Sequence, residues 1–321
     1  MISKNQYIVS ILIVNFNTGE ILKKCISSIF NCEKSISFEI IIVDQNSSDN
    51  SKDIIFFLSK EYNNIKYIFN DTNTGFSKGI NTAYEIATGE FLLILNPDII
   101  FTKPVLENLI FQLKKNSAGA ISPLLKGNDG NIQYEYYQKY PSILQFFLFH
   151  SFLTKVFGKI KFLIKKYHYD ENILKNKKGL AKVPQLPCAF FLVPTNIFKK
   201  FGKMNENYFI FFEDMDISFK INKNYPLYVD CESEVMHIGG ASFNMDSNPK
   251  IYGNYMLSYI IFFEQNYNFV STFFLKLFTL INSLCILFIE KLKQLFKIQN
   301  KFRFEKHKFF IKLLINHIVN H

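Results

Sequence analysis

The sequence has no tryptophan and no pair of cysteines spaced to share a metal. Its five cysteines, Cys25, Cys32, Cys188, Cys231 and Cys285, are scattered through 321 residues without a C-x-x-C spacing. That excludes a zinc ribbon and argues for a reducing compartment. The N-terminal apolar run lacks a small-residue cleavage site and ends in Asn15-Phe16-Asn17, so it reads as a first strand and not a signal peptide. The loop after it lacks the glycine- and basic-rich phosphate cradle that a nucleotidyltransferase making nucleotide sugars would need. In the aromatic C-terminal region the longest uncharged run, 277–289, has 13 residues, short of the roughly 20 that span a bilayer.

What is present is apolar and locally basic. The chain is 48% hydrophobic and 17% aromatic, with 37 Phe, so it can bury a sizeable core and disorder is excluded. Its net charge of +10 is concentrated in two places. Residues 143–183 hold nine Lys against Asp170 and Glu171, and residues 290–321 hold seven Lys and one Arg against Glu290 and Glu305. The remainder is slightly acidic.

The chain is organised around Phe91–Leu95, a run of five apolar residues that stops at Asn96-Pro97-Asp98. Such a run, closed by a proline turn, reads as a buried central strand. Open α/β sheets place ligands at the carboxyl ends of their strands. Asp98 there is an oxygen ligand suited to a hard cation such as Mg²⁺ or Mn²⁺. Before it, strands are expected at 7–14, 39–43 and 66–69, and helices over 21–29, 51–58 and 77–86, the last stopped by Gly89. Strand-helix alternation with short loops means a doubly wound, mostly parallel sheet. The polar loops at Asp44, at 73–78 and at Asp98 then converge on one edge. Asp44 could alternatively cap the helix beginning near Ser48. Further on, a strand over 189–193, a helix closed by Gly202, the acidic run Glu213-Asp214-Met215-Asp216, a short strand at 227–229 and His237 complete the domain.

The ordered motifs Asn15-Phe16-Asn17, Val43-Asp44-Gln45-Asn46-Ser47-Ser48-Asp49, Asn73-Thr74-Gly75-Phe76-Ser77-Lys78-Gly79-Ile80-Asn81 and Leu95-Asn96-Pro97-Asp98 resemble those of the inverting family-two glycosyltransferases. Glu213-Asp214-Met215-Asp216 and His237-Ile238-Gly239-Gly240-Ala241-Ser242 are similar to their rhamnosyltransferase-like branch. The resemblance covers about residues 7–242. It implies a GT-A fold, a nucleotide-sugar donor and a divalent metal. By position, Asp44 resembles the carboxylate that holds the donor's pyrimidine or ribose. Asn15, Asn17 and Asn46 lie in the loops around the nucleoside, and Lys78 and Asn81 resemble residues at the base and diphosphate wall. Asn96 and Asp98 stand where the family has its D-x-D motif, Asp98 being the metal carboxylate. His237 resembles the histidine that reaches the metal or diphosphate, and Asp214 the catalytic base. Three departures stand out: Asn96 for an acid, Cys188 for a glycine and Asn205 for an aspartate.

The chemistry suits these residue types. A departing nucleoside diphosphate needs a cation, and inversion needs a base on the opposite face of the sugar, with no covalent intermediate. The domain is expected over 1–245, with a basic amphipathic insertion at about 143–183. A C-terminal helical region, 246–321, follows. Basic, Phe-rich helices lie in membrane interfaces; the alternatives are a cover on the enzyme core or a contact in a homo-oligomer. Nucleic acid is excluded by the high apolar share. The expected protein is a peripheral enzyme on the inner face of the cytoplasmic membrane. It would move a sugar, dTDP-rhamnose being the first donor considered, onto a saccharide or lipid-linked saccharide for a surface polysaccharide. A UDP-sugar-dependent transferase and an inactive donor-binding assembly partner stay open.

Overall fold

The computed structural model describes residues 7–150, 159–160, 162–163, 166, 168–169, 171–175, 177–239 and 248–320. These fall into two compact units. The first is drawn from 1–140, 169–206 and 213–242, the second from 141–168, 207–212 and 243–321.

The first unit begins with β1 (Val9–Asn15), α1 (Gly19–Cys32), β2 (Phe38–Asp44), α2 (Ser51–Glu61), β3 (Ile65–Phe69), α3 (Phe76–Tyr84) and β4 (Phe91–Leu95). Every residue of β1, β2 and β4 is buried, as expected of strands covered on both faces. The helices return because their apolar residues recur on one face: α1 buries Leu22, Cys25, Ile26 and Ile29. The four strands are mutually parallel in the order β3-β2-β1-β4, so their carboxyl ends share one edge.

The chain continues through β5 (Ile99–Ile100), α4 (Leu106–Lys115) and β6 (Ala120–Lys126), then α5 (Ile143–His150) of the second unit. It returns with β7 (Leu180–Val183), β8 (Phe190–Pro194), α6 (Thr195–Lys200), α7 (Glu213–Asn222) and β9 (Leu227–His237). β8 enters antiparallel beside β4, and β6, β9 and β5 extend the sheet, with β7 on β9. The result, among the described residues, is a mixed, mostly parallel sheet with helices.

Two element boundaries differ from the sequence expectation. The helix expected over 77–86 ends at Tyr84 and closes with tight turns before Gly89. Gly89 instead lies against β1: a Cβ there would sit 2.5 Å from the Ser10 backbone nitrogen, and its own N–H donates to Ser10 Oγ at 2.8 Å. The strand expected at 227–229 runs on to His237, its second half pairing with β6 after a bulge and with β5.

The second unit contains α5, α8 (Pro249–Asn266), α9 (Phe269–Leu295) and α10 (Lys301–Asn320). Much of the expected basic stretch at 143–183, including Lys155, Lys161 and Lys165, lies outside the described residues, as do Gly240, Ala241 and Ser242. α9 is inverted in polarity. Its buried stripe includes Thr272, Thr279, Asn282, Ser283 and Glu290, while Phe269, Phe273, Phe274, Leu277, Leu284 and Phe288 are exposed. At 27 residues it is long and apolar enough to cross a membrane. The 13-residue run missed this because it stopped at Lys276 and Glu290, whose charges are answered within the unit. Lys276 pairs with Glu264, and Glu290 accepts from the Asn300 backbone at 2.9 Å and lies 3.5 Å from Arg303.

Candidate active site

The loops after β1 and β2 are knitted into one wall. Asn15 and Asp44 are fully buried. Asn15 Nδ2 donates to Asp44 Oδ2 at 2.8 Å, while its Oδ1 accepts from Thr18 Oγ1 at 2.7 Å. Asp44 also accepts from Ser47 Oγ at 2.6 Å and from Ser47 N at 2.9 Å. Asp44 therefore shapes its own loop, and the capping role near α2 falls to Asp49, which accepts from Ser51 N and Gly19 N. Asn17 and Asn46 are exposed and left-handed, at φ 54° and 58°, a conformation asparagine tolerates best among non-glycine residues. Asn17 Oδ1 accepts from Ser48 N at 2.7 Å.

Gln45, which the sequence reading quoted but gave no role, joins this wall to the next loop. It accepts from Asn70, Thr74 N and Thr74 Oγ1, and donates to Gly75 O at 2.9 Å. Lys78 is exposed on α3. Asn81 turns elsewhere: its amide donates to Met204 O at 2.8 Å and Glu206 Oε1 at 2.9 Å, and accepts from Met204 N at 3.0 Å.

At the end of β4, Asn96 anchors through its backbone to Ala189 O, and Asp98 is buried. Pairing of Ile99 with His237 in the β5–β9 ladder carries the histidine to the carboxylate. His237 Nε2 lies 3.4 Å from Asp98 Oδ1. That oxygen is buried without a hydrogen-bond partner. Gln133, which the sequence reading did not single out, fills the other side, its Oε1 2.7 Å from His237 Nδ1. The Tyr136 ring meets His237 edge-on at 4.9 Å. No sequence motif marks Gln133 or Tyr136; they arrive on the turn after β6, which the tertiary fold alone places here.

In its neutral Nδ1–H tautomer His237 turns the Nε2 lone pair toward the orphaned Asp98 Oδ1, and this facing pair tests whether a cation fits. Two facing lone pairs repel unless something positive lies between them. A nitrogen and an oxygen donor suit Mn²⁺ or Mg²⁺ held with substrate phosphates and water. The residues fit. Among the described residues no group of three or more His, Cys, Asp or Glu could hold a metal unaided.

The third part is the start of α7. Phe211 and Phe212 both adopt left-handed backbone, at φ 67° and 68°, a strained entry for bulky residues costing on the order of 1–3 kcal/mol each. Glu213 and Asp214 follow. Burial raises both carboxyls, and the charge of Asp214 raises Glu213 further; backbone donors from Met215 and Cys188 partly offset the effect on Asp214. Glu213 Oε2 is buried without a partner. Glu213 is thus the proton holder and Asp214 the more readily ionised base. The Tyr136 hydroxyl links the parts: burial first, then the charges of Asp98, Glu135 and Asp214, push it up to about 12. His237 thus meets the Tyr136 ring, and the charges of both Asp98 and Asp214 act on the Tyr136 hydroxyl.

Sequence comparison supplies relatives. The profile described as glycosyl transferase family 2 matches residues 10–182, just over half of the chain. A Campylobacter jejuni protein named GalNAc(5)-diNAcBac-PP-undecaprenol beta-1,3-glucosyltransferase is 30% identical over 128 residues, 40% of this chain and 41% of that one. An Escherichia coli protein named UDP-Glc:alpha-D-GlcNAc-diphosphoundecaprenol beta-1,3-glucosyltransferase is 29% identical over 113 residues, 35% of this chain and 44% of that one. The chain spans about two fifths of the length of the curated relatives it matches. Among solved structures, the Pyrobaculum calidifontis mannosyltransferase in complex with GDP-Man and Mn²⁺ superposes with a TM-score of 0.54 at 13% identity. The match covers 82% of this chain and 64% of that one, a likeness of fold.

Proposed function

The chain belongs to glycosyl transferase family 2, and from that premise we propose that it is an inverting, metal-dependent glycosyltransferase. Its catalytic domain would lie in 1–245, with 246–321 and the insertion at 143–183 serving attachment. The observation that carries this reading is the orphaned Asp98 Oδ1 facing His237 Nε2, with a raised carboxylate, Asp214, whose charge acts on the same Tyr136 hydroxyl as that of Asp98.

Asp98 and His237 would hold a divalent cation. When bound, the cation neutralises charge developing on the departing nucleoside diphosphate. Asp214 takes the proton of the acceptor hydroxyl as its oxygen attacks the sugar's anomeric carbon and the carbon–phosphate-oxygen bond breaks. The wall built by Asn15, Asn17, Asp44 and Asn46 receives the nucleoside, and Lys78 and Asn96 lie along the diphosphate side. Asn81 is assigned to bracing the 204–206 turn.

A dTDP-rhamnose donor rests on the motif resemblance. A second reading, a UDP-hexose donor, is favoured by the glucosyltransferase names of the two relatives. Those names also support a lipid-linked saccharide acceptor. The inverted polarity of α9 supports work at a membrane surface, the inner face of the cytoplasmic membrane being where nucleotide sugars are at hand. α9 packs along α8 and α10, and α10 exposes Lys301, Lys308 and Lys312. A helix with one side packed on its neighbours and an apolar face left exposed has the form of an interfacial helix.

The test is thermal stabilisation by nucleoside diphosphates with and without Mn²⁺. Saturation at 100 times Kd adds about 2.7 kcal/mol, a rise of several degrees. A Mn²⁺-dependent rise with dTDP or UDP, absent in Asp98→Ala, supports the reading and names the nucleotide. Folded protein that responds to no nucleotide overturns it.

A further inference from the structure

We propose that Gln133 is a positioning residue that fixes the tautomer of His237 and so keeps its Nε2 lone pair free for the cation. The inference rests on the metal reading above and goes beyond it to a residue no motif identifies.

The argument is one of hydrogen-bond logic. The Gln133 side chain makes two contacts to the same residue: Nε2 donates to the His237 carbonyl oxygen at 3.2 Å, and Oε1 lies 2.7 Å from His237 Nδ1. A backbone carbonyl only accepts, so the amide nitrogen must face it. The amide oxygen is therefore the atom facing Nδ1, and it only accepts as well. Nδ1 must carry the proton. In a neutral imidazole the other nitrogen is then bare, and it is Nε2 that lies 3.4 Å from Asp98 Oδ1. With Gln133 turned over, the amide oxygen would meet the carbonyl and the amide nitrogen would meet Nδ1. That arrangement puts the proton on Nε2 and closes the site to a cation.

The surroundings hold the amide in this sense. The Gln133 backbone N–H donates to Leu125 O at 3.0 Å, anchoring the turn to β6. Gly239 adopts φ +71°, and a Cβ there would sit 3.4 Å from Gln133 Nε2 and 3.6 Å from Tyr136 Oη. A Cβ at 239 would only touch the amide and the tyrosine; it is the left-handed backbone that calls for glycine there. A histidine ligand whose second nitrogen donates to a fixed acceptor is held in orientation and made a better ligand, an effect worth about 10–100-fold in metal affinity.

The test has two readouts, neither of them activity. In protein selectively labelled with ¹⁵N-histidine and free of metal, the neutral form of His237 should be the Nδ1–H tautomer. Mn²⁺ titration, alone and with UDP, should show Gln133→Leu weakened about tenfold or more. An Nε2–H tautomer in the wild type, or wild-type Mn²⁺ affinity in Gln133→Leu, overturns the proposal. Where Gln133→Leu does not fold, the tautomer decides alone. Wild-type protein that binds no Mn²⁺ while showing the Nδ1–H tautomer overturns the metal reading and with it the role of Gln133 toward a cation.

Discussion

Glu213 and Asp214 stand side by side in a buried turn, and both cannot ionise there without cost. Asp214 is pushed up to about 6, so a base at this position works only above that pH. Transfer, read as kcat/KM, should therefore fall as pH drops through about 6. Glu213 already holds its proton at that pH, and burial is what raises Asp214, so Glu213→Gln should leave the acid limb near 6. The stability of the two proteins should nonetheless diverge. Glu213 is raised from 4.5 to about 8, so between those values the folded state holds a proton that the unfolded state has released. Its contribution is then lost as pH rises toward 8. Thermal midpoints measured from pH 5 to 8.5 should decline more steeply in the wild type than in Glu213→Gln. Asp214→Asn keeps the shape and removes the base, so it should lose transfer by about 10²–10⁴-fold. Its Mn²⁺-dependent stabilisation by nucleotide should persist, the reverse of what Asp98→Ala shows.

At the scale of elements, α3 is tied to the 204–206 turn by Asn81 alone among the hydrogen bonds described between them. Asn81→Leu strands the Met204 N–H and C=O away from water, which should lower stability by about 1–3 kcal/mol in urea unfolding. If Asn81 instead faces the donor, nucleotide affinity falls and the unfolding midpoint does not move. This residue also shows what the sequence could convey. The parallel strands were legible because β1, β2 and β4 are nearly pure apolar runs ending in polar loops. Asp98 and Asp214 were legible because each is an acid at the end of such a run. Asn81 carried the motif, but its partner 123 residues away could not be read from it. Gly89 looked like a helix stop since a glycine after a helical period usually is one; its close approach to β1 is a tertiary fact. Gln133 was invisible because a glutamine in a polar turn has no pattern, and its role exists only once β9 brings His237 beside it.

At the scale of the whole molecule, one of the two basic stretches follows directly on the exposed apolar surface of α9. The chain carries +10, and its largest run of exposed Phe, Leu and Ile lies on α9, followed by Lys291, Lys293 and Lys297. Attachment to a membrane surface then has two separable parts. The lysines should respond to salt, since attraction to anionic headgroups is screened within about 10 Å at 0.1 M. The apolar face should not. Full-length protein should sediment with vesicles containing anionic lipid at low salt, and a fraction should stay bound at 1 M salt. Phe273→Ser with Phe288→Ser removes two exposed rings, each worth about 1.5–3 kcal/mol if fully buried, so the salt-resistant fraction should fall at least tenfold. Phe111, equally exposed on α4, is the control: Phe111→Ser should leave vesicle binding unchanged. Thermal midpoints should barely move in either variant, because these rings already face solvent. Equal vesicle binding by wild type and the double variant overturns the assignment of this face to lipid. Loss of a concentration-dependent dimer in the double variant, with no vesicle binding by the wild type, would make the face a contact between two copies of the chain.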